Sequence, residues 1–252
     1  DRIRYLGRSR GLGDVYQRPL FRGLLWLLWL GALALPAGNA PRAQAEGQGE
    51  SVWQILCRPA VSLFLVAAFL MQLSHGPYYT FYSIYLEALG FSKFIVGLLW
   101  SLGVVAEVGL FLIMHRLLAR FHIPWLLVAS LLLASLRWLM IGVAGDSLWL
   151  LALAQLLHAA SFGSFHAASI AWVHRQFGDA LAGQGQALYS SLGFGAGWAA
   201  GAGLAGLLWE QWGGLLFLVA SLGAAGGGVP LVGGGATPCL FTHLRAPQTG
   251  LD

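Results

Sequence analysis

Six long apolar runs separated by short polar breaks organise most of the chain, at about 60–86, 94–114, 124–144, 147–173, 185–208 and 212–235. Each reaches or exceeds the ~20 residues that a helix needs to cross ~30 Å of hydrocarbon. The pattern predicts an all-α membrane protein whose region 60–235 is a six-span helical bundle. A shorter run at 20–36 (LFRGLLWLLWLGALALP) is marginal in length and has Arg22 near its start, so it stands as an uncertain further span. Residues 1–19 form a polar segment, 37–59 an exposed linker rich in Gly, Ala and Gln, and 236–252 a tail.

Composition supports the same class. Hydrophobic residues make up 58% of the chain and charged ones 10%, against roughly 25% charged in a soluble domain. One soluble core cannot hide that much apolar surface, whereas lipid can act as the solvent. The formal charge of +4 does not point to nucleic acid, because the basic residues are scattered between apolar runs and form no stripe. Cys57 and Cys239 lie far apart with no metal-ligand spacing and read as inert thiols.

Loop charges give an orientation. Arg116 and Arg120 follow the second of the six spans and Arg175 follows the fourth, while Arg42, Arg58 and Arg245 flank the bundle. The alternate loops carry Lys93 with Glu87, Asp146 and Glu210. The positive-inside rule therefore predicts a cytoplasmic linker and a cytoplasmic C-terminus. Arg2, Arg4, Arg8, Arg10, Arg18 and Arg22 conflict with that scheme if 20–36 spans, and residue 1 is Asp, so the natural start is expected to be missing or processed. Both ends are left out of the functional reading, and the long polar stretch before 20–36 fits a secretory signal peptide poorly.

Charged groups inside spans carry the most information, since each costs at least ~2.5–3.5 kcal/mol at the bilayer centre. Glu107, Arg137 and His158 lie on three consecutive spans, each within roughly 10 Å of the midplane at ~1.5 Å per residue. Two readings remain open. Glu107 and Arg137 can form a structural ion pair that locks two helices, or the three groups can form a substrate and proton site. Gln155, His158, Ser161 and Phe162 share one face of their helix, and a polar stripe on an apolar span should face protein or water. His166 and His174 extend the histidine spacing by eight residues each, a rise of about 12 Å per step, so consecutive members cannot hold one metal ion.

The first full span contains QLSHGPYYTFYSIYLEALG, in which Pro77 removes a backbone donor and is expected to kink the helix beside Gly76. Gln72, His75 and Tyr79 fall on one face and are placed in a cavity, while Tyr78, Phe81, Tyr82 and Tyr85 point several ways and can serve an interfacial belt. Gly193, Gly197 and Gly201 form a doubled small-xxx-small pattern for close helix packing. No phosphate-binding loop, nucleophile elbow or zincin motif occurs, so an enzyme has little support.

The strings QLSHGPYYTFYSIYLEALGFS, GLLWSLGVVAEV, LRWLMIG and AQLLHAASFGSFHAA resemble the 3-phenylpropionate transporter branch of the major facilitator superfamily. The resemblance covers about residues 53–228, follows the order of that family's seventh to twelfth spans, and makes 20–36 the counterpart of its sixth. The branch is similar also to lactose permease, whose intramembrane Arg and His are matched in local context by Arg137 and His158. Gln155 and Ser161 stand where that permease has a Lys and a Glu, and Glu107 looks about one turn displaced from its acidic residue, so the charge network is not reproduced.

The resemblance implies the C-terminal half of a twelve-span secondary transporter in a bacterial inner membrane. Its expected activity is proton-coupled symport of a small organic solute, an aromatic acid among the candidates, without a cofactor or metal. Its partners would be the solute, protons, the bilayer, and a missing N-terminal half or a second copy. A truncated, non-transporting remnant is the alternative, and an intramembrane enzyme using His158 or His166 a weaker one.

Overall fold

The computed structural model describes residues 50–144 and 147–233. The chain divides after Gly47, and all of these residues belong to the second unit, Gln48–Asp252. The 20–36 run, residues 1–19, most of the linker, Asp146 and the tail with Cys239 lie outside the described residues.

Among the described residues every regular element is helical. The short helix α1, Val52–Leu56, opens with a capping box in which Ser51 and Gln54 satisfy each other's backbone donors. Helix α2, Pro59–Ala88, starts with proline in its first turn, where the missing N–H costs nothing. Helix α3 is Lys93–Arg120, capped by the Ser92 hydroxyl on the Ile95 amide, and α4 is Ile123–Val143. Helix α5, Leu148–His158, runs through a π-helical turn at Ala159–Gly163 into α6, Ser164–Ser190. A second π-helical turn, Ser191–Gly197, leads into α7, Trp198–Trp212, and α8 is Leu215–Gly233.

Four helical runs among the described residues are long and apolar enough to cross a membrane, and the last of them, Leu148–Trp212, has 65 residues. A straight helix of that length would extend roughly 100 Å, about three times the hydrocarbon thickness. The run is in fact two antiparallel limbs. Gly178 breaks it with φ 66° and ψ 174°, a conformation open to glycine because it has no Cβ. Across the break, Gly185 packs against Phe177 and Val173. His166 Nδ1 lies 3.3 Å from the Tyr189 hydroxyl. With α8, whose apolar stretch is Leu215–Leu231, the described residues form six long limbs. The expected loop between 173 and 185 is therefore nearly absent, and Arg175 is exposed on the end of a helix.

Helix α2 is the centre of the bundle, packed on α7, the second π turn and α8. Gly193 and Gly197 bring the second π turn against the α2 backbone near Ala68 and Phe69, and Gly201 of α7 meets the Leu73 carbonyl. Pro77 deprives that same carbonyl of its helical donor, yet α2 continues through it without interruption. A Cβ on Gly201 would overlap the Leu73 carbonyl, and one on Gly76 would overlap the Gly201 backbone. Two backbones thus touch at the point where one helix lacks a hydrogen bond. Helix α3 is the least covered of the long helices; it packs against α5 and the first π turn and exposes Val104, Val105, Val108 and Leu112.

Candidate functional site: a buried arginine in an aromatic box

Arg137 of α4 is fully buried near the middle of the bundle. Its Nε donates to the Ala154 carbonyl at 3.1 Å, and Nη1 and Nη2 have no hydrogen-bonding partner. Aromatic faces hold the guanidinium instead. Its Cζ lies 4.1 Å from the Tyr78 ring centroid and 4.2 Å from that of Trp138. Both distances fall inside the range over which a ring quadrupole attracts a cation. Stacking on ring faces leaves both Nη groups free to donate, and a planar fork of N–H donors suits a carboxylate.

Around this cation lies a set of polar atoms that are also unspent. The Tyr78 hydroxyl donates to Gln155 Oε1 at 2.9 Å, leaving Gln155 Nε2 without a partner. His75 Nδ1 sits 2.7 Å from the Met71 carbonyl, while its Nε2 is unpartnered. His158 Nδ1 is likewise unpartnered, and so is the Tyr82 hydroxyl. The two imidazoles have centroids 6.2 Å apart, and Phe162 stacks on His158 at 5.1 Å. Buried polar groups are nearly always hydrogen-bonded, so this concentration of unpaired polar atoms sets the centre of the bundle apart from an ordinary packed core.

Glu107 approaches this cluster from α3, with Oε2 4.0 Å from His158 Nε2 and its side chain 22% exposed. Among the described residues Arg137 makes no ion pair, with Glu107 or with any other acid. The Glu107–Arg137 lock, one of the two readings open from sequence, is not formed.

The structure brings Glu107, Arg137, His158, His75 and Gln155 into one neighbourhood. Tyr79 stands at its edge, 37% exposed, with its ring 6.0 Å from His75. Gln72 is buried, with the base of its side chain against Gly193 and Gly197. Ser161 is buried and donates to the Leu157 carbonyl at 2.8 Å within its own helix. Gly193, Gly197 and Gly201 lie on the α2-facing side of their limb. Sequence reasoning missed Tyr78 and Trp138, the two rings on the arginine. Tyr78 and Tyr82 follow His75 at three and seven residues, a spacing that fits one helical face as well as the Gln72–His75–Tyr79 set does. The described residues hold no group of His, Cys, Asp and Glu able to ligate a metal.

Long apolar limbs around a buried, unpaired cation define an integral membrane protein with a polar centre. The chain belongs to the major facilitator superfamily: the MFS_1 like family matches residues 20–219. It is 33% identical over 211 residues to the "Probable 3-phenylpropionic acid transporter" of Escherichia coli (strain K12), covering 80% of this chain and 55% of that protein. The chain thus spans about half the length of this curated relative. No solved structure matches it.

Proposed function

We propose that this chain is half of a secondary active transporter that carries a small aromatic carboxylic acid in symport with protons. The observation that carries the reading is Arg137, fully buried, stacked between Tyr78 and Trp138, and without an anionic partner. A permanent cation in an apolar span is costly, and an aligned carboxylate would satisfy both free Nη groups at once. Glu107 and His158, a carboxylate and an imidazole 4.0 Å apart, are the pair through which a proton would be coupled. The name of the similar Escherichia coli protein supports an aromatic acid as the solute.

Six helices form one wall of a central path, and the opposite wall would come from a further six-helix half or from a second copy. The bundle would sit in a bacterial inner membrane with its C-terminus in the cytoplasm. The test is uptake of labelled 3-phenylpropionate by cells producing the full-length protein, with and without a protonophore. Saturable uptake that collapses with the proton gradient is expected, and Arg137→Leu should remove it. Absence of saturable uptake overturns the transport reading. Saturable uptake indifferent to the protonophore overturns proton coupling alone.

A further inference from the structure

Four aromatic rings from four different elements meet beside the arginine box, with Tyr79 at their centre. Tyr79 of α2 has Trp198 of α7 at 6.0 Å, Trp100 of α3 at 6.2 Å and Phe162 of the first π turn at 6.4 Å. Tyr79 and Trp198 are 37% and 46% exposed, so part of each ring is uncovered. Trp100 is fixed from below, its indole N–H donating to the Ser83 hydroxyl at 3.0 Å. The turn that carries Trp198 reads GWAAGAG, so its nearest chain neighbours are too small to cover the indole.

The group is continuous with the polar cluster. Tyr79 lies 5.1 Å from Tyr78, which itself stacks on Arg137 at 4.1 Å. Phe162 lies 5.1 Å from His158 and 5.2 Å from His75. Helix α3 also exposes Val104, Val105, Val108 and Leu112, aliphatic side chains with no ring to stack. Aromatic rings with exposed faces, two short steps from an unpaired guanidinium, suit a ligand that is itself aromatic at one end and anionic at the other.

We infer that Tyr79, Trp100, Phe162 and Trp198 form the subsite for the ring of an aromatic monocarboxylate whose carboxylate, joined by a short alkyl spacer, is held by Arg137. The inference rests on the transport reading above and adds to it the residues that select an aromatic over an aliphatic acid. Tyr78 and Trp138 take no part in ring recognition, since both are buried under the guanidinium. The partial exposure of Tyr79 and Trp198 makes their substitution a local change rather than a core defect.

The test uses the full-length protein in cells at matched membrane abundance. The readouts are the KM for labelled 3-phenylpropionate and the inhibition constant of hexanoate, an aliphatic acid. Tyr79→Leu and Trp198→Ala should each raise the KM roughly tenfold through lost ring contacts. They should leave hexanoate inhibition within about twofold, and Tyr79→Phe should restore the KM. An unchanged KM in both truncations overturns the subsite. So does an equal rise in the hexanoate constant, which would mean general loss of packing, or a Tyr79→Phe variant as impaired as Tyr79→Leu. If the unsubstituted protein shows no saturable uptake, the transport reading fails and this one fails with it. Normal uptake by the unsubstituted protein with unaffected variants removes the subsite alone.

Discussion

His158 Nε2 lies 4.0 Å from Glu107 Oε2, so the intramembrane carboxylate meets an imidazole and not the arginine. Two glycines allow this approach. A Cβ on Gly103 would come within 3.1 Å of Gln155 Oε1 and 3.8 Å of His158 Cδ2, which keeps α3 close to α5. A Cβ on Gly163, in the first π turn, would crowd Leu110 at 2.9 Å and reach within 3.5 Å of Glu107 Cγ. The carboxylate is thereby set beside a group that can exchange a proton, while Arg137 is left open. π-helical turns inside α-helices often accompany functional sites, and this one carries the backbone around the carboxylate.

The missing ion pair makes a stability prediction. Removing one partner of a buried salt bridge usually costs ~3–5 kcal/mol, because the other charge is stranded. Arg137 has no acidic partner to strand, so Arg137→Met should leave thermal stability of the detergent-solubilised protein unchanged or raised. Carboxylate affinity in the full-length transporter should fall at least about tenfold, the loss of one or more charge-assisted hydrogen bonds. A large drop in melting temperature would return Arg137 to a structural role.

Close backbone contact predicts opposite signs for two neighbouring glycines. Gly201→Ala drives a methyl into the Leu73 carbonyl and should destabilise the fold by ~1–3 kcal/mol. Gly203 has open space at its Cβ position, and Gly203→Ala should be neutral or stabilising by up to about 1 kcal/mol through helix propensity. Thermal melts of the two variants side by side decide the point. Equal effects would mean that α2 and α7 are not in backbone contact.

The long helices were legible because lipid enforces both their length and their apolar character. The pattern placed α2 at about 60–86 and α4 at 124–144, and they form at Pro59–Ala88 and Ile123–Val143. The break at Gly178 was legible only as a longer polar loop. Gln, Ala and Arg around it are good helix formers, so backbone geometry at one residue does the work of the expected connection. Side-chain partnerships were harder. Opposite charge suggested Glu107 for Arg137, but only packing says which helix faces meet. The π turns also shift the phase of a face, since each carries an extra residue relative to 3.6 periodicity. Ser161, which spacing sets on one face with His158, bonds its own helix, and Tyr78, which the sequence pattern grouped with the interfacial aromatics, is the α2 ring on the arginine.

Orientation is tested by thiol labelling in intact cells. Arg116 and Arg120 end α3, and Ser147 begins the next hairpin on the opposite side of the membrane. Basic residues near helix ends resist translocation. In a background with Cys57 and Cys239 replaced by Ser, Ser147→Cys should react with an impermeant reagent and Ala119→Cys should not. Labelling at 119 with none at 147 would reverse the topology.

The last prediction concerns coupling in the full-length transporter. Glu107 faces His158 from α5, and Arg137 contributes a more distant positive charge from α4. The proton affinity of a carboxylate depends on the charges near it and on how dry its surroundings are. A small movement of α3 against α5 would change that balance, which is what a coupling residue requires. Glu107→Gln fixes the neutral form without changing shape. It should abolish proton-driven accumulation of 3-phenylpropionate while keeping downhill exchange. Exchange should also lose its dependence on pH, because the group that responds to pH is gone. His158→Gln removes the imidazole and should shift the pH profile without abolishing exchange. A purely structural pair behaves differently: either change would lower membrane abundance and damage exchange and accumulation together. Both variants are measured at matched abundance, in proteoliposomes with and without an imposed proton gradient. Accumulation by Glu107→Gln with an unaltered pH profile would exclude Glu107 as the residue that links solute to proton.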